Sequence, residues 1–135
     1  MGLEVLMAEQ AKAARLLRRE SAELLWVALG ALPGALLRWQ VALHLQDQNL
    51  LVNTLGASLL GLLAGLPFAP RRQLLLGIGF CGSVTTFSSW MLAAMKYISA
   101  GDWGLALGLI GLTLGLGIGG AVLGYQLGVW FKSDK

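Results

Sequence analysis

The chain has 135 residues, of which 56% are hydrophobic and 13% charged, with a formal net charge of +3 and a mean hydropathy of +0.70. Soluble domains carry about 25% charged residues, so the composition argues against a soluble protein. The apolar residues form runs of about 20 or more, the length that crosses about 30 Å of hydrocarbon. The sequence therefore predicts a single-domain integral membrane protein.

A mixed, basic arm occupies residues 1–23, ahead of the first apolar run. Its positive charges come immediately before that run and not at the start of the chain, which is unlike a secretory signal. A basic helix of this kind binds anionic lipid, so we expect the arm to lie on the membrane surface. The rest of the chain divides into a transmembrane domain, 24–131, and a C-terminal tail, 132–135.

Four apolar runs follow the arm, joined by short polar connectors. They cover residues 24–45, 50–69, 74–99 and 103–131. Lipid requires each spanning segment to satisfy its own backbone hydrogen bonds, so each run is predicted to be a helix. Segments of alternating hydrophobicity, as in a barrel, are not seen. The predicted fold class is all-α, an integral membrane protein with four transmembrane helices.

Positive residues collect on one side of this topology. Four spans place both termini and the 70–73 connector together, and Lys96 and Arg38 are the exceptions on the other side. The residues on the shared side are Lys12, Arg15, Arg18, Arg19, Arg71, Arg72, Lys132 and Lys135. Because positive loops stay in the cytoplasm, both termini are predicted to be cytoplasmic.

No aspartate or glutamate lies inside any of the four runs. A proton-coupled transporter normally carries an intramembrane carboxylate as its relay. General acid–base catalysis also needs a titratable group, and the runs offer no suitable arrangement. The sequence therefore favours passive conduction, and an enzyme is not expected.

The stretch GFCGSVTTFSSW, residues 79–90, interrupts the apolar pattern of the third run. Glycine and clustered β-branched or hydroxyl residues are weak helix formers, so a helix break is predicted at 81–85. Backbone groups freed inside a membrane persist only when buried in protein or bound to an ion. Past the break, Phe87 and Trp90 share one helical face, and their positive ring edges suit an anion path.

The remaining polar groups in the runs are mainly hydrogen-bond donors. Asn53 offers an amide, residues 83–89 carry five hydroxyls, and Thr113 carries another. Such donors suit a small anion that sheds its water, although interhelical hydrogen bonding is the alternative for any one hydroxyl. The guanidinium of Arg38 must snorkel or face water.

Glycines recur every three or four residues along the fourth run, and GLLAG at 61–65 repeats the pattern once. Stripes of small residues let helices approach closely. Four helices with this much small-residue surface are not expected to enclose a pore alone, so a dimer is predicted.

The segments GALPGALLRW, LVNTLG and GFCGSVTTFSSW in the first three runs together resemble the Fluc (CrcB) fluoride channel family. The resemblance covers residues 24–130 and excludes the arm. It implies a dual-topology dimer of four-helix subunits inserted antiparallel in the bacterial inner membrane. Fluoride would leave the cytoplasm passively through two narrow pores, and no nucleic acid partner is implied.

The resemblance also assigns site residues. The backbone carbonyls of Gly82 and Thr85 would hold a structural sodium ion at the dimer centre. Trp90 stands where a second pore phenylalanine is usual, and its indole is larger and adds an N–H donor. The other residues assigned to the fluoride path or its vestibule are Arg38, Asn53, Thr86, Phe87, Ser88, Ser89 and Thr113.

Two alternatives stay open. The charge bias would fix the orientation, so the second subunit is either another copy or a homologous chain of opposite orientation. In the second case this chain could be a non-conducting or partly degenerate subunit, which is consistent with Trp90. A small multidrug exporter is also a four-span dimer, but its chemistry needs a membrane-embedded glutamate that this chain lacks.

Overall fold

The computed structural model describes residues 2–44 and 50–133, with side chains described from Met7 onward. Within these ranges all regular structure is helical. We number the helices α1 (Gly2–His44), α2 (Leu50–Gly65), α3 (70–84), α4 (Ser88–Ser99) and α5 (Trp103–Ser133).

Three stretches are long and apolar enough to cross a membrane, namely Met7–His44, Pro70–Ser99 and Trp103–Ser133. Helix α2 has 16 residues, which corresponds to about 24 Å at a rise of about 1.5 Å per residue. The sequence predicts this helix over 50–69. A proline disfavours the helical conformation of the residue before it, and Leu66 precedes Pro67. The helix therefore ends at Gly65.

The arm and the first span form one helix. Helix α1 has 43 residues with Pro33 inside it, which makes it about 64 Å long, roughly twice the hydrocarbon thickness. On the last turn of the arm, Arg19 Nε donates to Glu23 Oε1 at 3.1 Å. The arm thus continues into the first span as one helix. Its expected place on the membrane surface stays a prediction.

The helices pack in pairs, α1 against α3 and α2 against α5, and α4 also packs on α5. At the α2–α5 contact, a Cβ atom added to Gly124 would overlap the Ser58 carbonyl, and one added to Gly61 would overlap the Ala121 carbonyl. These glycines therefore let the two backbones touch. The glycines nearer the start of α5 have no neighbour within 4 Å of an added Cβ: Gly104, Gly108, Gly111 and Gly115.

Helix α3 is wider than a regular α-helix. Its nine residues Gln73–Cys81 are π-helical, between short α-helical segments Pro70–Arg72 and Gly82–Val84. Gln73 Nε2 donates to the Leu63 carbonyl of α2 at 3.1 Å, which ties the start of α3 to its neighbour. π-Helical turns are rare and are frequently found at functional sites.

The third span is interrupted, as predicted, but at 85–87 and not at 81–85. Gly82 keeps helical angles, with φ −63° and ψ −30°, whereas Thr85 is extended, with φ −80° and ψ 156°. The Thr85 amide and hydroxyl both donate to the Cys81 carbonyl, at 3.1 Å and 2.7 Å, and so complete the last helical turn. The chain leaves the helix at the β-branched pair Thr85–Thr86 because branching at Cβ disfavours the helix, and Gly82 alone does not break it.

Substituting Gly124 with alanine should destabilise the subunit by about 1–3 kcal/mol, because the new methyl group must push α2 away from α5. Thermal unfolding in detergent measures the change. Gly119→Ala is the matched control, since an added Cβ there meets open space and the substitution should leave stability unchanged or slightly raised. Equal stability of the two variants would contradict the backbone contact.

Candidate functional site

A groove of about 410 Å³ lies beside the helix break. We call it the polar groove, and its lining residues come from α2, the end of α3, the break, α4 and α5. They are Asn53, Gly82, Thr85, Thr86, Phe87, Trp90, Thr113 and Leu114. Residues far apart in the sequence therefore meet where the third span is interrupted.

Asn53 binds the backbone of the break at two points. Its Nδ2 donates to the Thr86 carbonyl at 2.9 Å, and its Oδ1 accepts from the Thr86 amide at 2.7 Å. A buried backbone group without a partner costs about 1–3 kcal/mol, so the pairing stabilises the extended segment. One N–H of the Asn53 amide has no partner among the described residues and remains available as a donor.

Several hydroxyls that were candidates for anion binding are already used within their own helices. Ser83 donates to the Phe80 carbonyl at 3.1 Å, and Thr85 to the Cys81 carbonyl at 2.7 Å. Ser58 of α2 does the same to its own preceding turn. Such local bonds are ordinary for serine and threonine in helices. The five hydroxyls of residues 83–89 are therefore not a uniform ladder of free donors.

Two other hydroxyls, those of Thr86 and Thr113, belong to lining residues of the groove. Thr86 and Ser88 pair with each other, with 3.2 Å between their oxygens. Thr113 is only 7% exposed, and within the described part of the chain its Oγ1 has no hydrogen-bond partner. A buried hydroxyl without a partner is costly unless a ligand or water supplies one. Thr113 is thus the groove residue whose hydroxyl most needs an outside partner.

Phe87 and Trp90 form an edge-to-face pair. Their ring centroids are 4.8 Å apart and their planes are inclined by 76°. Trp90 is 5% exposed and Phe87 is 66% exposed, so the indole is anchored in the subunit while the phenyl ring lies at its surface. In this arrangement the positive edge of one ring meets the negative face of the other.

Three of the expected site residues, Arg38, Ser88 and Ser89, lie outside the groove lining. Ser89 faces a separate hollow of about 330 Å³ together with Lys96 and Tyr97. Arg38 approaches the break from α1, where its Nη1 lies 3.5 Å from the Thr85 carbonyl oxygen. Sequence reasoning missed Leu114 as a lining residue, since a leucine in an apolar run carries no distinguishing signal.

The described residues hold no cluster of three or more His, Cys, Asp or Glu that could bind a metal. The oxygen donors that a hard cation prefers are present instead as backbone carbonyls. In a regular α-helix the Thr86 amide would donate to the Gly82 carbonyl, but here it donates to Asn53. The Thr85 carbonyl leaves the helix with the extended backbone. Both carbonyls therefore fit a cation that approaches the break.

The helices and the groove define a multi-pass helical membrane protein with an interrupted third span and a donor-lined cleft beside it. The family model for CrcB-like protein, Camphor Resistance (CrcB), matches residues 25–125, and the chain belongs to this family. The match leaves out the whole arm, residues 1–23, and the end of α5 beyond residue 125.

Relatives of known name agree with this assignment. The chain is 75% identical over 122 residues to "Fluoride-specific ion channel FluC 2" of Parasynechococcus marenigrum (strain WH8102), covering 90% of each chain. It is 77% identical over 119 residues to the protein of the same name from Synechococcus sp. (strain CC9605), covering 88% of this chain and 90% of the relative. "Fluoride-specific ion channel FluC 1" of Prochlorococcus marinus (strain NATL2A) is 43% identical over 81 residues, or 60% of this chain and 67% of the relative.

Replacing Asn53 with leucine should destabilise the subunit by about 2 kcal/mol or more, because the amide and carbonyl of Thr86 both lose their partner. Thermal unfolding in detergent tests this. Ser58→Ala serves as the control, since it removes only a bond to its own preceding turn and should change stability far less. An Asn53→Leu protein as stable as the Ser58→Ala protein would show that the break does not depend on Asn53.

Proposed function

We propose that the protein is a passive fluoride channel that lets fluoride leave the cytoplasm. The observation that carries this proposal is the polar groove, in which donors without protein partners collect beside a helix break in spans free of carboxylates. The names of the relatives support it, since they are described as fluoride-specific ion channels. Those names also agree with the expectation of a non-enzyme, and they do not support a multidrug exporter.

The groove supplies the kinds of partner that a dehydrating anion needs. The free N–H of Asn53 and the hydroxyl of Thr113 are candidates to replace water around fluoride, and the Thr86–Ser88 pair adds two more hydroxyls. The edges of Phe87 and Trp90 present positive partial charge to an anion and repel cations. Without a carboxylate in the spans, no negative charge opposes entry.

A second subunit, inserted antiparallel, completes the site in this proposal. Phe87 and Gly82 are exposed on the single subunit, so the groove needs another surface to close it. The unpartnered glycines at the start of α5 offer a surface suited to close helix packing. A sodium ion would bind the carbonyls of Gly82 and Thr85 at the dimer centre, where its charge would also attract anions.

The charge distribution favours one orientation of this chain, with both termini in the cytoplasm of a bacterial inner membrane. An antiparallel homodimer requires insertion both ways, which this bias opposes. The second candidate is therefore a heterodimer with a homologous chain of opposite orientation. In that heterodimer this chain would be a non-conducting or partly degenerate subunit.

Release of fluoride from liposomes, followed with a fluoride electrode, tests the proposal and separates the candidates. Rapid release by the purified protein alone would support a homodimeric channel. Silence alone but release after a homologous chain is added would support the heterodimer, and silence in both cases would contradict a channel.

Substitution Asn53→Asp should reduce fluoride release at least about tenfold, because a carboxylate would place negative charge in the anion path. Thr54→Val is the matched control, since the Thr54 hydroxyl bonds only its own preceding turn, at 2.9 Å. Liposome efflux measures both variants. Unchanged release by the Asn53→Asp protein would remove Asn53 from the conduction path.

Trp90→Phe should preserve or raise fluoride release, because phenyl keeps the edge-to-face contact with Phe87 and leaves more room. The same efflux assay measures the rate, and thermal unfolding checks that the variant is folded. A fall to background in a folded variant would show that the indole is a required part of the pore wall.

A further inference from the structure

Arg38 lies beside the carbonyl of Thr85, where the helix of the third span ends. Its Nη1 is 3.5 Å from the carbonyl oxygen of Thr85, a residue 47 positions later in the chain. The contact is partly buried, because α1 packs directly on the segment Gly82–Val84. Within the described residues the guanidinium has no carboxylate partner, and the only ion pair there joins Arg19 and Glu23.

The Thr85 carbonyl needs a partner because the helix ends there. In a continuous α-helix it would accept a bond from the amide four residues on, but the chain turns extended at Thr85. A carbonyl freed within a membrane must be satisfied by protein or by an ion. In the single subunit, Arg38 provides a positive group for it.

We propose that Arg38 is the subunit's own cation at the Thr85 carbonyl and that it competes there with the sodium ion of the assembled dimer. The inference rests on the proposed function, which assigns sodium to the carbonyls of Gly82 and Thr85. A sodium ion on the same oxygen would lie within a few ångströms of the guanidinium, where two positive charges repel strongly in a medium of low dielectric constant. Arg38 therefore lowers the affinity of the break for sodium.

The sign of the effect separates this role from simple structural support. If Arg38 only held the break in shape, removing it would weaken the carbonyl arrangement, and more sodium would be needed. If Arg38 competes with the ion, removing its charge makes the break bind sodium more tightly.

The test measures thermal unfolding and dimer content of the purified full-length protein in detergent as sodium chloride replaces N-methyl-D-glucamine chloride at constant ionic strength. For Arg38→Gln we expect the half-saturating sodium concentration to fall by about fivefold or more. Arg38→Lys keeps the charge and should stay within about twofold of wild type. Arg71→Gln is the matched control, since Arg71 is exposed, lies 5.9 Å from the centre of the Trp26 ring and does not contact the break.

Three results would overturn the proposal: a half-saturating concentration in Arg38→Gln that is unchanged or higher, an equal fall in Arg38→Lys, or an equal fall in Arg71→Gln. If Arg38→Gln does not assemble, Arg38→His replaces it, because its imidazole is charged near pH 5.5 and neutral near pH 8. Half-saturation should then occur at lower sodium at pH 8 only in the histidine variant, and equal values at both pH values would refute competition.

Fluoride release by the wild-type protein is measured separately. If neither wild type nor Arg38→Gln responds to sodium while wild type still releases fluoride, the competition is wrong and the channel proposal stands. If wild type releases no fluoride, alone or with a homologue, the channel proposal fails whatever sodium does.

Discussion

Hydrocarbon offers no hydrogen bonds to a polypeptide, and this constraint governs the interrupted third span. The chain leaves its helix at Thr85, and the adjoining backbone groups then need partners from elsewhere in the protein. Asn53 pairs with both the amide and the carbonyl of Thr86. Arg38 approaches the carbonyl of Thr85. Two other helices thus bring polar side chains to the backbone of the break.

Close packing of the helices positions these polar side chains beside the break. Helix α2 carries Asn53, and its contact with α5 is tight enough that an added Cβ at Gly124 would strike the Ser58 backbone. The same contact places Thr113 of α5 across the polar groove from the break. Glycines that look like generic small residues in the sequence thus set the distance between the amide of α2 and the hydroxyl of α5.

Some polar side chains in the spans are bonded within their own helices, and others have no partner within the described residues and are available to a ligand. Ser83, Thr85 and Ser58 donate to carbonyls of their own helices, so their hydroxyls are largely consumed. One Asn53 N–H and the Thr113 hydroxyl have no partner within the described residues. These available donors lie beside the Phe87–Trp90 pair, and it is on this combination that the proposed anion path rests. The carbonyls of Gly82 and Thr85 at the break are instead suited to a cation, so groups suited to an anion and groups suited to a cation are neighbours here.

The sequence by itself determined the membrane-spanning character, the helical class and the presence of an interruption in the third span, because hydrophobic length and weak helix formers are local properties. Asn53, Thr86, Phe87, Trp90 and Thr113 could also be selected from sequence and resemblance, and the structure brings them into one groove. Only the tertiary structure decided that the break falls at 85–87, that the arm continues α1, and that Ser89 lies apart from the groove. Those features depend on which backbone groups find partners across helices, and such partners, 33 residues apart for Asn53 and Thr86, leave no mark in local sequence.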